Sequence, residues 1–322
     1  MEKGLVSIIT PCYNSANYVY RLLDSIFAQD YPRIEVYAID DGSTDNTREV
    51  IESYIDKYVG KGYSLNYIYQ VNSGQAAAVN KGLKYVKGEY LAWPDSDDYY
   101  NRTDAISTFV HELNQLDVSY GVVCNIGTFV DEVTLKPTRN NTDYNKKENL
   151  FETCLLGGDF LAVPINYMIK MEAFDKVNPQ REIFTKRHVQ NMQMLLPVFY
   201  SYKCKTIRTS LCNIVERSSS YSRSSISYDK QKDEIQGWLE IKLNTLTHIA
   251  ELSEDERRKY EKLCCEKDLM SKLELAFNYK NKQDVLETIC CLKEMGTHVN
   301  IKKRIKAHLL NYPFLYDFIL RR

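Results

Sequence analysis

Three times along the N-terminal stretch, a short apolar run ends in a polar cluster that opens an amphipathic segment. Leu5-Val6-Ser7-Ile8-Ile9-Thr10 runs into Pro11-Cys12-Tyr13-Asn14-Ser15, and Tyr18, Leu22, Leu23, Ile26 and Phe27 then space as a helical stripe. Ile34 to Ile39 runs into Asp40-Asp41-Gly42-Ser43-Thr44-Asp45, and one helix is predicted from Asp45 to Tyr58. Leu65 to Gln70 leads through Asn72-Ser73-Gly74 into a helix carrying Ala76, Ala77, Ala78, Val79 and Leu83. A fourth strand, Gly88 to Trp93, delivers Asp95, Asp97 and Asp98. Such alternation predicts a mostly parallel α/β sheet with helices on both faces. In these sheets ligands sit beyond the carboxyl ends of the strands, so the clusters at 11–15, 40–45 and 95–98 should meet on one rim.

The acidic stretch Trp93-Pro94-Asp95-Ser96-Asp97-Asp98 reads in two ways. An acidic turn or helix cap is one. The other is a hard-cation site, because close carboxylates repel unless a cation or bonding partners offset them. Mg²⁺ or Mn²⁺ accepts one or two carboxylates and completes its shell with water and phosphate. Helix N-termini on the same rim favour phosphate, so the rim suits a nucleotide diphosphate with a group attached. No G-x-G-x-x-G follows the first strand and no G-x-x-x-x-G-K-[ST] occurs, which disfavours a Rossmann dehydrogenase or a P-loop NTPase. A formal charge of −1 argues against a general nucleic-acid binder.

Five segments together resemble family 2 glycosyltransferases, which have the GT-A fold: Val6 to Asn14, Ile39 to Asp45, Asn72 to Gln75 with Asn80-Lys81-Gly82, Lys87 to Tyr90, and Asp95 to Asp98. The resemblance implies transfer of a sugar from a nucleotide sugar, with inversion at the anomeric carbon and with Mg²⁺ or Mn²⁺. It implies that Pro11 to Tyr13, with Asp41 or Asp40, contact the nucleoside. It places Asn14, Gln75, Asn80 and Ser96 on the donor side, Asp95 near the ribose or donor sugar, and Asp97 on the metal, with Asp98 as the alternate ligand. A UDP-sugar is the leading donor, and a glycan or lipid-linked molecule of a bacterial surface polysaccharide is the expected acceptor.

Beyond the acidic loop, a helix is predicted from Thr103 to Leu113, a strand over Tyr120 to Cys124, and Thr128 to Thr134 as a strand returning antiparallel to it. Phe160 to Ala173 has the character of the acceptor-side segment. Many family members open the next helix with Glu-Asp, whose aspartate takes the acceptor proton. Here the pair reads Gln190-Asn191, and an amide positions a hydroxyl but takes no proton at neutral pH. His188 is the base candidate on chemistry, set against a capping or solvent-facing histidine; Asp159 and Glu182 are weaker ones. Lys203 to Ile207 and Leu211 to Val215 read as closing strands. The Ser/Arg-rich loop from Arg217 to Arg223 suits either folding over a diphosphate or linking domains.

Composition shifts near Asp229, where helical spacing takes over: Ile235 to Leu246, Glu254 to Ala276, Gln283 to Met295 and Ile301 to Leu310. The expected organisation is a GT-A nucleotide-sugar-binding domain over residues 1–225 and a helical appendage over 226–322, serving packing, homodimerisation or acceptor recognition. Its basic, aromatic end (Ile301 to Leu310, then Tyr312 to Ile319) suits either an anionic membrane surface or a solvated face on a helical core. Nine scattered cysteines lack zinc-site spacing. No export signal opens the sequence and no apolar run approaches the roughly 20 residues of a spanning helix. A cytoplasmic enzyme, peripheral at most on the inner membrane face, is the expectation. Its rivals are a nucleotidyltransferase, disfavoured because Pro11-Cys12-Tyr13-Asn14 is not a glycine-rich basic loop, and a non-catalytic nucleotide-sugar binder or scaffold, suggested by Gln190-Asn191.

Overall fold

The computed structural model describes residues 1–139, 144–185, 190–217 and 227–310. His188, most of the Ser/Arg-rich loop and the aromatic segment after Leu310 lie outside the described residues. The chain divides into two compact units, Met1–Arg223 with His248–Glu251, and Ser224–Thr247 with Leu252–Arg322.

The first unit is built on the expected alternation. Strand β1 (Glu2–Cys12), helix α1 (Val19–Phe27), β2 (Ile34–Asp41), short helices α2 (Thr47–Glu52) and α3 (Ile55–Gly60), β3 (Ser64–Gln70), α4 (Gln75–Leu83) and β4 (Gly88–Ala92) follow in order. All four strands are mutually parallel where they pair. Strand β2 is buried along its whole length, as a strand covered on both faces must be. Its buried Glu35 is satisfied by the Ser7 hydroxyl (2.5 Å), the Tyr37 hydroxyl (2.8 Å) and the Lys87 amide (3.0 Å). Helix α4 lies so close to β1 that a Cβ on Gly82 would stand 2.5 Å from Ile9 Cγ2.

Next come β5 (Tyr99–Tyr100), α5 (Ala105–Gln115), β6 (Tyr120–Asn125), β7 (Thr128–Asp131), β8 (Pro137–Arg139), α6 (Phe151–Leu156), β9 (Tyr167–Lys170), α7 (Met171–Val177), α8 (Gln190–Ser201), β10 (Lys203–Ile207) and β11 (Cys212–Glu216). Among the described residues the main sheet has seven strands in the order β10-β6-β9-β4-β1-β2-β3, and a second sheet runs β5-β11-β7-β8. The architecture is the expected α/β sheet flanked by helices, with β9 as an antiparallel strand between β4 and β6.

Two local expectations are corrected. The helix predicted from Asp45 to Tyr58 is two short helices, interrupted after Glu52 where Tyr54 N bonds to the Ile51 carbonyl (3.1 Å) in a tighter turn. The strand near Thr128 does not return along β6. It leaves the main sheet, because Asn125 Oδ1 accepts from both Gly127 N (2.8 Å) and Leu211 N (3.1 Å) and turns the chain there. Strand β7 then pairs parallel with β11 and antiparallel with β8.

The second unit is helical: α9 (Tyr228–Thr247), α10 (Glu254–Asn278), α11 (Lys282–Glu294) and α12 (Ile301–Leu309). Ser253 and Glu256 form a capping box at α10, and Asn281 and Asn300 cap α11 and α12. Leu273, Ala276, Phe277, Val285, Leu292 and Val299 form its core. On α12, Lys303 pairs with Glu274 (2.6 Å), while Ile301 and Ile305 stay exposed. Among the described residues no helix is long and apolar enough to cross a membrane.

Candidate functional site

Parallel pairing fixes where the loops fall. Cys12 lies opposite Asp40 and Ile8 opposite Ala92, so β1, β2 and β4 discharge their loops on one edge. The loops are stitched together there. Asn14, held at φ +48°, donates its N–H to Ser43 Oγ (2.9 Å), and its Oδ1 accepts from Thr44 N (2.8 Å). Ser15 N donates to Thr47 Oγ1 (2.7 Å), Ala16 N donates to Asp45 Oδ2 (3.1 Å), and the Ser15 and Ser96 hydroxyls share a 2.9 Å hydrogen bond. Gly42, at φ +78°, makes the second loop's turn, and a Cβ there would stand 2.7 Å from Asn72 N. Pro11 is buried and Tyr13 is exposed on the rim.

The first two carboxylates shape this edge from within. Asp40 accepts from Ser43 N (2.8 Å) and from the Tyr67 hydroxyl (2.6 Å). Asp41 accepts from Gln70 Nε2 (2.7 Å), Ser73 N (2.8 Å) and Gly74 N (2.8 Å), which fixes the start of α4. Both are almost fully buried.

The acidic loop lies beside them. Gln75 Nε2 donates to Asp95 Oδ1 at 2.5 Å. Burial, then the Asp97 charge, pushes the Asp95 carboxyl up to about 7, against the pull of Gln75 and Arg217. Asp97 Oδ2 pairs with Arg217 Nε at 2.9 Å, and that guanidinium sits 4.6 Å from the centroid of the Tyr18 ring. Burial raises the Asp97 carboxyl, while Arg217, its own backbone and Arg21 lower it. Asp98 is buried and its Oδ1 accepts from Val215 N (2.9 Å); burial, then Asp97 and Asp95, raise its carboxyl well above the ordinary range.

Three carboxyl groups are thus crowded with one paired guanidinium against them, an all-oxygen set in which burial and mutual repulsion favour a bound proton or cation. That chemistry fits a hard divalent cation. Among the described residues no group of three or more His, Cys, Asp or Glu side chains is arranged to hold a metal ion by itself. A cation here would therefore complete its shell with water or with oxygens brought by a substrate.

Behind the rim, Asn191 occupies the turn of α8 where the sequence suggested an acceptor contact. Its Oδ1 accepts from the Trp93 indole N–H (3.0 Å), and its Nδ2 donates to the Ala162 carbonyl (3.0 Å). Gln190 is buried. Asn80 makes a reciprocal pair with the Ile183 backbone (2.8 Å each way), and Gln193 does the same with Phe184 (2.7 and 3.1 Å). Two amides from different helices therefore clamp adjacent residues ahead of α8. In the sequence Arg21 and Gln193 carry no assigned role, Ser15 stands only within the 11–15 cluster and Tyr18 only within a helical stripe. A glutamine inside the apolar run of α8 was the one local signal available.

The glycosyl transferase family 2 model matches residues 7–178. An uncharacterized glycosyltransferase of Rickettsia typhi is 34% identical over 179 residues, covering 53% of this chain and 54% of that protein. A Bacillus subtilis protein, provisionally named a teichuronic acid biosynthesis glycosyltransferase, is 39% identical over 102 residues, covering 31% of this chain and 38% of that protein. The chain thus spans about half the length, or less, of these curated relatives. The crystal structure of Staphylococcus aureus TarS 1-349 in complex with UDP-GlcNAc superposes with a TM-score of 0.64 at 18% identity, over 95% of this chain and 87% of that one. This likeness is one of fold.

Proposed function

This chain belongs to glycosyl transferase family 2, and from that premise we propose that it moves a sugar from a nucleotide-diphosphate sugar to a glycan or lipid-linked acceptor, with inversion and with Mg²⁺ or Mn²⁺. The observation that carries the reading is the meeting of the three strand-end loops on one edge, with Asp41 and Asp95 tied through Ser73–Gln75 and Asp97 paired with Arg217. A UDP-sugar is the proposed donor, and bacterial surface polysaccharide synthesis, capsule included, the proposed setting. The name of the Bacillus subtilis relative and the ligand of the TarS crystal support both. Residues 1–225 are the proposed catalytic unit. The helical remainder is proposed for acceptor recognition, self-association or contact with the inner membrane face.

In this scheme Tyr13, Asn14 and Ser96 line the nucleoside side, and Gln75 orients Asp95 toward the donor. Asp97 holds the cation, which when bound would stabilise the departing diphosphate. Catalysis would rest on positioning and on charge stabilisation of the leaving group. Asn191 contributes by holding Trp93, two residues before Asp95. His188 is the proposed proton acceptor, with Gln190 and Asn191 behind the acceptor pocket.

Thermal-shift titration with UDP-, GDP- and TDP-sugars, with and without Mn²⁺, tests donor binding, with Asp97→Ala as the control. A second reading, nucleotide-sugar binding without transfer, is favoured by the Asn191 amide standing where the family resemblance leads one to expect a carboxylate base. Product analysis with an acceptor panel separates the two: turnover in wild type excludes the second, and tight donor binding without turnover or donor hydrolysis excludes the first.

A further inference from the structure

Asp97 already has a cation against it. Arg217 Nε stands 2.9 Å from Asp97 Oδ2, and its guanidinium rests 4.6 Å from the Tyr18 ring centroid. Arg21, on the next turn of the same segment, adds positive charge felt at Asp97. Its Nε donates to the Tyr20 hydroxyl at 3.1 Å, but its Nη1 is buried with no hydrogen-bond partner. A buried donor left unpaired is costly, and an anionic oxygen is the partner that recovers most.

These contacts make the arrival of a metal ion conditional. A free divalent ion taking Asp97 Oδ2 displaces Arg217, and one taking the other oxygen sits beside its guanidinium, so either approach sets a doubly charged ion against an uncompensated positive neighbour. Arg21 adds to the repulsion. A cation carried on a diphosphate brings oxygens with it. Arg217 can then pass from the carboxylate to a phosphoryl oxygen while the carboxylate turns to the metal, and Arg21 Nη1 finds an acceptor. Charge is conserved at each partner, and no covalent bond changes.

Resting on the nucleotide-sugar reading above, we infer that Arg217 makes Asp97 selective for a divalent cation delivered with a diphosphate over the free ion, with Arg21 as a second guanidinium receiving the diphosphate. Arg217 is then a specificity-determining residue. It excludes one ligand and binds the other, so its removal has effects of opposite sign.

Calorimetric titration of the full chain with Mn²⁺ alone, and with UDP or GDP at saturating Mn²⁺, tests this on wild type, Arg217→Gln, Arg217→Lys and Arg21→Gln. For Arg217→Gln, affinity for Mn²⁺ alone rises about tenfold and affinity for the nucleotide falls about tenfold, the scale on which a neighbouring charge alters a carboxylate's occupancy. Arg217→Lys keeps the wild-type weakness toward Mn²⁺ alone. Arg21→Gln weakens nucleotide binding. Unchanged or weaker Mn²⁺ binding by Arg217→Gln overturns the inference, and a parallel loss of both affinities marks a structural role and does the same. Absence of UDP and GDP binding by wild type sinks the functional reading instead; a rise in Mn²⁺-alone affinity in Arg217→Gln would still uphold exclusion of the free ion.

Discussion

Asp41 and Asp95 are held by consecutive residues: the Gly74 N–H donates to Asp41 at 2.8 Å, and the Gln75 side chain donates to Asp95 at 2.5 Å. The loop ending β2 and the loop ending β4 are therefore registered to the same first turn of α4. Replacing Gln75 by Leu removes one of the two ties. The expected result is a roughly tenfold weaker nucleotide-sugar affinity, the scale of one charge-assisted hydrogen bond, with the melting temperature nearly unchanged. Calorimetry and thermal denaturation on the same sample check the split.

Asp95 predicts a pH signature. Its carboxyl is raised to about 7, above the unfolded value of about 3.9. The stability it contributes is therefore fully present below about pH 4 and is lost as pH rises through about 7. Asp95→Asn removes this component. In the unliganded protein its melting temperature should exceed that of wild type at about pH 8, and the difference should close toward about pH 4. The same variant should lose donor binding, because a charge that costs stability is kept for its ligand.

Asn191 supports Trp93, whose side chain is 1% exposed. Asn191→Ala leaves the buried indole N–H unpaired and should cost about 1–3 kcal/mol. Asn191→Asp keeps an acceptor for that N–H but sets a carboxylate oxygen against the Ala162 carbonyl, so it spares the Trp93 bond and not the Ala162 one. Denaturant melts give the energies. Trp93 fluorescence, read in a Trp238→Phe background, should shift for the alanine variant and not for the aspartate one.

The paired amides Asn80 and Gln193 hold Ile183 and Phe184 by both backbone groups. Asn80→Ala should abolish hydrogen-exchange protection at Ile183, and Gln193→Ala at Phe184, each leaving protection along β1 and β2 in place. Equal loss everywhere would mean global destabilisation and not a local clamp.

Gly42 holds φ +78° and leaves no room for a Cβ beside Asn72 N. Gly42→Ala should destabilise the fold by roughly 1–3 kcal/mol, the cost of a strained backbone position. It should also weaken donor binding, since Asp41 and Ser43 flank the turn.

Periodicity made much of this legible. The buried runs of β1 to β4, the polar clusters at their ends and the helical spacing of α9 to α12 all report local burial, which a sequence displays directly. Parallel order then forces Asp40, Asp95 and the Tyr13 loop to one edge. Pairing between distant segments leaves no such trace. Strand β9 inserts antiparallel between β4 and β6, and β7 joins β11, through contacts whose partners lie far along the chain. Asn191 shows the other limit. The sequence displays an amide where the family resemblance leads one to expect a carboxylate, but only the fold shows that this amide faces Trp93 and Ala162. The helix predicted through Ser53 is two short helices, and nothing in the local sequence marks the interruption at Ser53 and Tyr54.

The most direct test of the account is the thermal shift produced by Mn²⁺ with a panel of nucleotide sugars, in wild type and in Asp97→Ala. Stabilisation of wild type by metal together with one nucleotide sugar, absent in the variant, is the predicted result. Equal responses of the two proteins, or none to any nucleotide sugar, would contradict it.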